Sequence, residues 1–215
     1  MIILVFGKPG SGKGSVAEVF SERSSFKHVS TGNIFRKEIA EKTELGLLAD
    51  SYIKGGNLVP DEITNSIVEN YLKANGKEDL LLDGYPRTIP QAIFLDEAVK
   101  RHNLKIMGVF DLECEDSLVI ERLSSRRVCS ECGAIYNTRN HNPKIPGVCD
   151  ECHSPVIQRK DDSVESITNR LKVYERDTEP LINYYKERKL LYKVDGRADS
   201  DVVFEEITGI LAKCN

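Results

Sequence analysis

The stretch IILVFGKPGSGKGS, residues 2–15, decides the fold. Its five apolar residues, 2–6, are typical of a buried strand, and the glycine-rich turn after them leads into a segment with helical periodicity. In such a strand, loop and helix, backbone N–H groups and the helix N-terminus converge on phosphate oxygens. The sequence therefore predicts an α/β protein with a phosphate-binding loop. The alternative interpretation is a strand–helix turn with a structural role only.

The loop departs by one residue from the pattern G-x-x-x-x-G-K-[ST]. Gly7, Gly12 and Lys13 fit this pattern, but Gly14 stands at the hydroxyl position and Ser15 follows one place later. Lys13 is expected to reach the outer phosphates. Gly14 has no side chain to ligate magnesium, so we expect the metal to be held by nucleotide phosphates, water and a carboxylate elsewhere. Ser15 remains able to hydrogen-bond a phosphate.

Short apolar runs alternate with helical patterns along the chain, which predicts a parallel sheet covered by helices on both faces. Two segments interrupt this alternation and are interpreted as insertions into the core. Residues 30–59 are largely helical, whereas residues 128–158 lose the helical period and are rich in Cys, Pro and Gly. The predicted strands are 2–6, 79–84, 105–112 and 190–196.

The carboxylate is supplied by LLLDGYPRT, residues 80–88. Asp83 follows a buried run, and ligands of open α/β sheets gather at the carboxyl ends of the strands. We therefore expect Asp83 to position a hydrated Mg²⁺ ion, and the turn after it to direct Arg87 into the same cleft. A simple turn at a strand end is the alternative interpretation.

Arginines recur around the predicted cleft, and any one of them alone is typical of a surface. Together they indicate a polyanionic substrate, because phosphoryl transfer depends on positioning and on charge stabilisation. Guanidinium groups bind phosphate oxygens with two parallel hydrogen bonds. Arg126 and Arg127 are predicted to end a helix. The set comprises Arg36, Arg87, Arg122, Arg126, Arg127, Arg159 and Arg170.

Four cysteines in two C-x-x-C pairs, sixteen residues apart, have the spacing of a zinc site. The ligands are Cys129, Cys132, Cys149 and Cys152. Four thiolates leave no open coordination position, so the Zn²⁺ is expected to be structural. Iron in the same cage is the alternative metal. The run CDECH also matches a haem-attachment pattern, but the paired knuckle accounts for its cysteines. Cys114 and Cys214 are expected to be ordinary thiols.

Charge and hydropathy limit the remaining classes of function. The 215-residue chain has a net charge of −4, without the basic excess of a nucleic-acid-binding protein, so no nucleic-acid partner is expected. No run approaches the ~18 apolar residues of a membrane helix, and the N-terminus lacks the features of a signal peptide. We therefore expect no membrane partner and a reducing cytoplasm.

Taken together, these motifs resemble the adenylate kinase family in the version with a zinc-bearing lid, and the resemblance runs nearly end to end. GKPGSGKGS resembles the family's GxPGxGKGT loop, in which Gly after Lys is normal. STGNIFR resembles STGDxxR, with Asn33 in place of Asp, and LLLDGYPRTIPQA resembles FLLDGFPRTxxQA. RRVCSECGAIY and CDECHSPVIQRKDD resemble the two halves of the lid, and VDG at 194–196 resembles the loop beside the ATP adenine.

The resemblance implies a P-loop NTPase-type sheet and a site for each nucleotide. ATP would be held by Gly10, Ser11, Gly12, Lys13, Gly14, Ser15, Arg122, Arg126, Ile135, Tyr136 and Ala198. AMP would be held by Thr31, Arg36, Asn57, Leu58, Val59, Gly84, Tyr85, Pro86, Arg87, Gln91, Arg159 and Arg170, with Gln91 reading the adenine edge. Lys13, Asp83, Arg87, Arg126, Arg159, Asp161, Asp162 and Arg170 would carry the catalytic roles.

The implied reaction is Mg²⁺-dependent and reversible: ATP and AMP give two ADP. The implied division is a core of residues 1–29, 60–125 and 163–215, an AMP-binding flap of residues 30–59 and a lid of residues 126–162 with the zinc site. A monomer is the family's default. A kinase for another nucleoside monophosphate remains an alternative, and so does a non-catalytic nucleotide sensor or zinc-ribbon nucleic-acid binder. Lys8 in the loop is expected to add affinity for anions.

Overall fold

Strand β1 (Ile2–Phe6) lies at the centre of the sheet, as its unbroken apolar sequence predicts. All five of its side chains are buried. The computed structural model describes residues 1–139 and 141–213. It shows a parallel sheet in the spatial order β2 (Phe26–Ser30), β3 (Asp79–Asp83), β1, β4 (Ile106–Glu113) and β8 (Leu191–Asp195). The α/β fold class is thereby confirmed, because a strand buried on both faces must have layers on both sides.

Helices cover both faces of this sheet. On one face, α1 (Lys13–Arg23) and α9 (Ser200–Lys213) bury Phe20 and Ile207 with residues of β1. On the other face, helices bury Leu72, Leu95 and Tyr185 against the same strand. The helices of that face are α4 (Asp61–Asn75), α5 (Ile89–Arg101) and α8 (Pro180–Glu187). The phosphate-binding loop, which follows β1, therefore begins at the end of the central strand of the sheet.

The first insertion is helical, as predicted, and contains α2 (Thr31–Ala40) and α3 (Glu44–Ile53). The two helices pack closely because Gly46 has no side chain: a Cβ there would lie 2.1 Å from the carbonyl oxygen of Glu38. Phe35 and Ala49 form a small apolar cluster with Val59, beside the main core. The insertion is thus a helical hairpin that begins directly at the end of β2.

The second insertion follows α6 (Asp116–Ser125) and is a small antiparallel sheet. Its strands are β5 (Arg126–Cys129), β6 (Ile135–Asn137) and β7 (Val156–Ile157). The prediction that Arg126 and Arg127 end a helix is wrong, because the helix ends at Ser125 and Arg126 has the extended backbone of a strand. A 3₁₀ turn (Lys160–Asp162) returns the chain to the core.

The return path is a nearly continuous helical rod. It runs through α7 (Val164–Val173), a π-helical turn (Tyr174–Thr178) and α8, which Pro180 begins. In the part of the chain that the structure describes, no helix is long and apolar enough to cross a membrane. Cys114 is a free, partly buried thiol. Cys214 lies outside the described residues.

Candidate active site

The phosphate-binding loop joins β1 to α1 through glycines with left-handed backbone. Gly7 has φ +134°, and a Cβ there would lie 2.6 Å from the carbonyl oxygen of Leu112, so no other residue fits. Gly12 is the N-cap of α1, with φ +102°. The first N–H groups of α1 are therefore directed into the loop, where an anion would complete their hydrogen bonding.

Lys13 is curled over this loop. Its Nζ donates to the carbonyl oxygens of Gly7, at 2.7 Å, and Lys8, at 2.8 Å, and approaches Ser11 Oγ at 3.5 Å. Burial lowers the pKa of Lys13 to about 8, although the charge of Asp83 opposes this shift. The ammonium group thus stands beside the loop as a poorly solvated cation that an anion would stabilise.

Lys8 points away from the loop interior. Its Nζ forms an ion pair with Asp116, at the beginning of α6, and this hydrogen bond raises the pKa of Lys8. The expected contribution of Lys8 to anion binding therefore gains no support from the geometry. The pair instead ties the loop to the helix that leads into the second insertion.

Asp83 lies at the carboxyl end of β3, one strand from the phosphate-binding loop. Its Oδ2 is 3.2 Å from Nε2 of His28 on β2. Burial disfavours the ionised carboxyl, but the His28 hydrogen bond and the charges of Lys13 and Arg87 outweigh it, so the pKa of Asp83 is lowered. Asp83 is therefore an ionised carboxylate at the sheet edge where the loop lies, as a Mg²⁺ site requires.

Arg87 is held by the turn that follows β3. Its Nε donates to the carbonyl oxygen of Gly84 at 2.8 Å, and its backbone N–H donates to Gln91 Oε1 at 2.8 Å. Thr178 Oγ1, from the π-helical turn, donates to the Arg87 carbonyl oxygen at 2.9 Å. Thr31 Oγ1 also donates to the Gly84 carbonyl oxygen, at 3.1 Å. The remaining guanidinium N–H groups are thereby aimed into the cleft.

A cavity lies between the helical hairpin, the Gly84 turn and α7. Its lining includes Thr31, Arg36, Asn57, Leu58, Val59, Gly84, Arg87, Gln91 and Arg170, all predicted to bind AMP, and also Asp161. Tyr85, Pro86 and Arg159, also predicted to bind AMP, are not part of this lining. Tyr85 is turned into the core, where its hydroxyl donates to Asn65 Oδ1 at 2.6 Å, and burial raises its pKa.

Gln91 is buried at the inner end of this cavity and is held at both ends of its amide. Its Oε1 accepts from Arg87 N, and its Nε2 donates to Asp61 Oδ1 at 2.7 Å. One N–H and one lone pair are left for a ligand. Arg36 is held similarly, because its Nη2 donates to Asn33 Oδ1 at 2.6 Å. Asn33 therefore supplies an acceptor without a charge.

Two arginines and two aspartates form a buried network between the cavity and the second insertion. Arg126 makes two hydrogen bonds with Asp162, at 2.8 and 2.6 Å. Arg170 Nη1 donates to Asp161 Oδ2 at 3.0 Å and lies 3.3 Å from Asp162 Oδ1. The Asp162 side chain is fully buried. These carboxylates hold both guanidinium groups in the cleft.

Arg159 lies next to this network but has no carboxylate of its own. Within residues 1–139 and 141–213, its guanidinium takes part in no hydrogen bond or ion pair. Burial, with the charges of Arg126 and Arg36, lowers the pKa of Arg159 to about 9. A cation in this position gains most from a bound polyanion.

The other residues predicted to bind ATP border the loop on its far side. Arg122 Nη1 donates to the carbonyl oxygen of Gly196 at 2.7 Å, which holds the 196–198 turn beside Gly12. Ile135 reaches the loop from the second insertion, 3.9 Å from where a Cβ of Gly14 would stand. Ala198 is partly buried in that turn. Tyr136 points instead to the cysteines.

The four cysteines of the second insertion come together as predicted. Their Sγ atoms all lie within 4.8 Å of one another. Cys129 and Cys152 are 3.3 Å apart, and Cys132 and Cys149 are 3.5 Å apart. A tetrahedral Zn²⁺ with Zn–S bonds of ~2.3 Å needs sulfur atoms about 3.8 Å apart, so the donor set fits zinc.

Sequence reasoning missed several residues that hold this site in place. His28 contacts Asp83 only through the pairing of two parallel strands, and Thr178 contacts Arg87 across 91 residues of sequence. Asn169 Nδ2, on α7, donates to the Gly55 carbonyl oxygen at 2.6 Å and to Asn57 Oδ1 at 3.0 Å. These three contacts join residues that are 55, 91 and 114 positions apart, so local motifs could not reveal them.

Comparison with known proteins agrees with this geometry. The family model described as adenylate kinase matches residues 5–190. An adenylate kinase of Clostridium tetani is 45% identical over 216 residues, with both chains covered completely. One of Caldanaerobacter subterraneus is 45% identical over 96% of this chain and 94% of its own, and one of Finegoldia magna is 43% identical over 99% and 100%. The chain therefore belongs to the adenylate kinase family.

Proposed function

We infer that the chain catalyses reversible, Mg²⁺-dependent phosphoryl transfer between ATP and AMP, giving two ADP. The observation that carries this inference is the convergence of partly buried cations between the phosphate-binding loop and the cavity. They are Lys13, Arg36, Arg87, Arg126, Arg159 and Arg170. Such a set matches two nucleotides whose phosphates meet end to end.

We propose that the donor is held by the loop residues Gly10 to Ser15, with Lys13 on its outer phosphates. Lys13 must exchange its carbonyl contacts for phosphate oxygens when ATP binds. Arg122 and the turn at Ala198 lie on the side of the loop where the adenine would extend. Ile135 would close over the loop, and Tyr136 would contribute through its backbone, because its side chain is occupied elsewhere.

The acceptor is proposed to occupy the cavity beneath the helical hairpin. Arg36 and Arg87 would bind its phosphate. Thr31 and the backbone of residues 57–59 would contact the sugar. The free N–H and lone pair of Gln91 would bind the adenine edge. Gly84 to Pro86 would act by shaping the turn. Gln91 matches the donor and acceptor pattern of adenine, and we propose AMP as the acceptor.

Transfer needs no general base in this arrangement. Arg87, Arg126, Arg159 and Arg170 would neutralise the charge on the moving phosphoryl group, while Asp161 and Asp162 keep the guanidinium groups oriented. Asp83 would hold the hydrated Mg²⁺, whose role is to neutralise and align phosphate oxygens. We propose that the flap of residues 30–59 and the lid of residues 126–162 exclude water by closing on the core of residues 1–29, 60–125 and 163–215, and that their opening limits turnover.

Zn²⁺ is proposed for Cys129, Cys132, Cys149 and Cys152, in a structural role. The closeness of the four sulfurs supports it, and their number leaves no coordination position for a substrate. We further propose a cytoplasmic monomer. Thiols grouped as metal ligands, rather than paired as disulfides, are typical of a reducing compartment. Size-exclusion chromatography with light scattering tests the oligomeric state.

The test is a transfer assay with Mg²⁺-ATP and AMP, CMP, UMP or GMP in turn, following ADP by chromatography. We expect rapid ADP formation with AMP. The Arg87→Ala variant should lose about 10²–10³-fold in kcat, the cost of removing one donor to the developing charge. Arg176→Ala is the matched control: its guanidinium is 72% exposed and paired with Asp177 outside the cleft, so its rate should not change.

The other outcomes separate the alternatives. Preference for CMP, UMP or GMP would keep the mechanism and overturn the acceptor. ATP binding without transfer to any acceptor would favour the nucleotide sensor, and an unchanged rate in Arg87→Ala would remove the proposed role of the cationic cleft.

A further inference from the structure

The hydroxyl group of Tyr136 lies in the cysteine cluster rather than in the nucleotide cleft. It is 3.3 Å from Cys149 Sγ, and it accepts a hydrogen bond of 2.8 Å from the backbone N–H of Asp150. Tyr136 is 3% exposed and Cys149 is fully buried, so water does not compete for this contact. The hydroxyl therefore has two protein neighbours and a defined orientation.

The polarity of these two hydrogen bonds follows from the donor chemistry. The Asp150 amide can only donate, so it occupies a lone pair of the hydroxyl oxygen. The hydroxyl hydrogen is left for Cys149 Sγ. A cysteine bound to a metal is a thiolate without a proton, so in the loaded protein Tyr136 must be the donor of this contact.

A cage of four thiolates and one Zn²⁺ carries two net negative charges, and Cys149 holds part of them in a buried position. A donor directed at the sulfur offsets this cost. The backbone N–H of Glu131 acts in the same way on Cys129, at 3.4 Å. Partners of metal ligands orient the ligands, and their loss typically weakens metal binding 10–100-fold.

We propose that Tyr136 is an outer-sphere residue of the metal site, which strengthens metal retention by donating a hydrogen bond to the Cys149 thiolate. The proposal rests on the metal site inferred above. Tyr136 lies on β6 opposite Arg127 of β5, and its ring stacks on His141 with centroids 5.5 Å apart. The hydroxyl thus connects the second cysteine knuckle to the strand on which Arg126 and Arg127 lie.

The test compares metal binding by the full chain and by Tyr136→Phe, which keeps the ring and its stack on His141. Zn²⁺ affinity is measured by competition with a chromophoric chelator, and we expect a 10–100-fold loss. In the Co²⁺-substituted protein, the sulfur-to-cobalt charge-transfer band should move to lower energy, because a thiolate that loses a hydrogen bond is more easily oxidised.

Two controls isolate the hydroxyl. His141→Ala removes the stacking partner but keeps the hydroxyl, so its charge-transfer band should stay in place. Tyr184 lies on α8, and its hydroxyl donates to Asp96 at 2.7 Å. Tyr184→Phe removes this hydroxyl and should leave metal affinity unchanged. A fluorinated tyrosine at position 136 keeps the contact with Asp150 and is a stronger donor, so its band should move to higher energy.

The outcomes are separable. If the unmodified chain binds neither Zn²⁺ nor Co²⁺, the metal site itself is wrong. If the unmodified chain binds both and the fluorinated tyrosine leaves the band unmoved, the hydrogen bond proposed for Tyr136 is overturned, whether or not Tyr136→Phe folds. An affinity loss in His141→Ala equal to that in Tyr136→Phe would also overturn it, because packing would then account for both.

Discussion

Lys13 shows how one side chain can serve the loop and the ligand in turn. Its ammonium group donates to two backbone carbonyl oxygens of the loop, and burial lowers its pKa to about 8. The same burial that destabilises this charge makes it a strong partner for a phosphate. Binding and ionisation of Lys13 are therefore coupled.

This coupling predicts proton uptake on ATP binding. At pH 8.5 Lys13 is mostly neutral in the free enzyme, and bound phosphates raise its pKa, so binding should take up a fraction of a proton. At pH 6.5 Lys13 is charged in both states, and its contribution should vanish. Calorimetry in buffers of different ionisation enthalpy measures the uptake. Lys13→Arg, whose charge does not titrate in this range, should lose it; unchanged uptake would assign the proton to another group.

Asp162 is the residue whose loss should affect both stability and catalysis. Its buried carboxylate pairs with Arg126 and with Arg170. In Asp162→Asn the two guanidinium groups would lose that charge, which should cost about 3 kcal/mol of unfolding free energy, as for other broken buried pairs. Urea unfolding measures this. Saturating nucleotide should restore part of the loss, because phosphates replace the missing charge.

The control for Asp162 is Asp177→Asn, which breaks the exposed pair with Arg176. Exposed pairs contribute less than ~1 kcal/mol. Equal destabilisation by the two substitutions would show that burial of the Asp162 network adds nothing.

At the scale of elements, we expect the second insertion to depend on the proposed metal. Its apolar cluster consists of Cys129, Tyr136 and Cys149 with Ala134 and Val156, which is too small to fold a segment of this length. The three short strands pair with one another, but a further link between the two cysteine knuckles would strengthen the segment. In the proposed site, the Zn²⁺–sulfur bonds provide it.

Cys129→Ser should therefore lower the midpoint of thermal unfolding more than it lowers the transfer rate at moderate temperature. In the proposed site the metal would contact no substrate, so catalysis should suffer only when the proposed lid loosens. Calorimetric scans and initial rates on the same preparation make the comparison, with Cys114→Ser as the control thiol. A folded Cys129→Ser variant with a proportionate loss of rate would contradict a structural role for the metal.

Hydrophobic periodicity predicted the strands and helices that have a clear apolar pattern. The apolar runs of β1, β3, β4 and β8 identify themselves, and so do the amphipathic helices. Strand β2 escaped because FKHVS alternates at the edge of the sheet and has few apolar residues. The contact between His28 and Asp83 was also out of reach, because it exists only once β2 and β3 pair in register.

At the scale of the whole molecule, the charge of the cleft opposes that of the chain. Six cationic side chains and the carboxylates Asp83, Asp161 and Asp162 meet there, within a protein of net charge −4. Nucleotides are therefore attracted by a local field that the rest of the surface does not share. Salt screens such a field over ~30 Å at 0.01 M ionic strength and over ~8 Å at 0.15 M.

We expect kcat/KM for AMP to fall over that range of ionic strength while kcat at saturation changes little, because screening weakens encounter more than transfer within the closed, desolvated site. Steady-state kinetics in KCl measure both constants. Arg176→Ala should follow the same curve as the unmodified enzyme. A parallel fall of kcat would place the salt effect on the chemical or opening step instead.

The second insertion buries its own small interior, and among the described residues none of this interior belongs to the clusters that pack on the central sheet. The sequence of such a segment can change without creating a cavity in the core of the protein. Substitutions in the second insertion are then limited by how well the proposed lid closes over the cleft. Substitutions in the central sheet are limited by whether the chain folds. The two parts of the gene are therefore free to diverge at different rates.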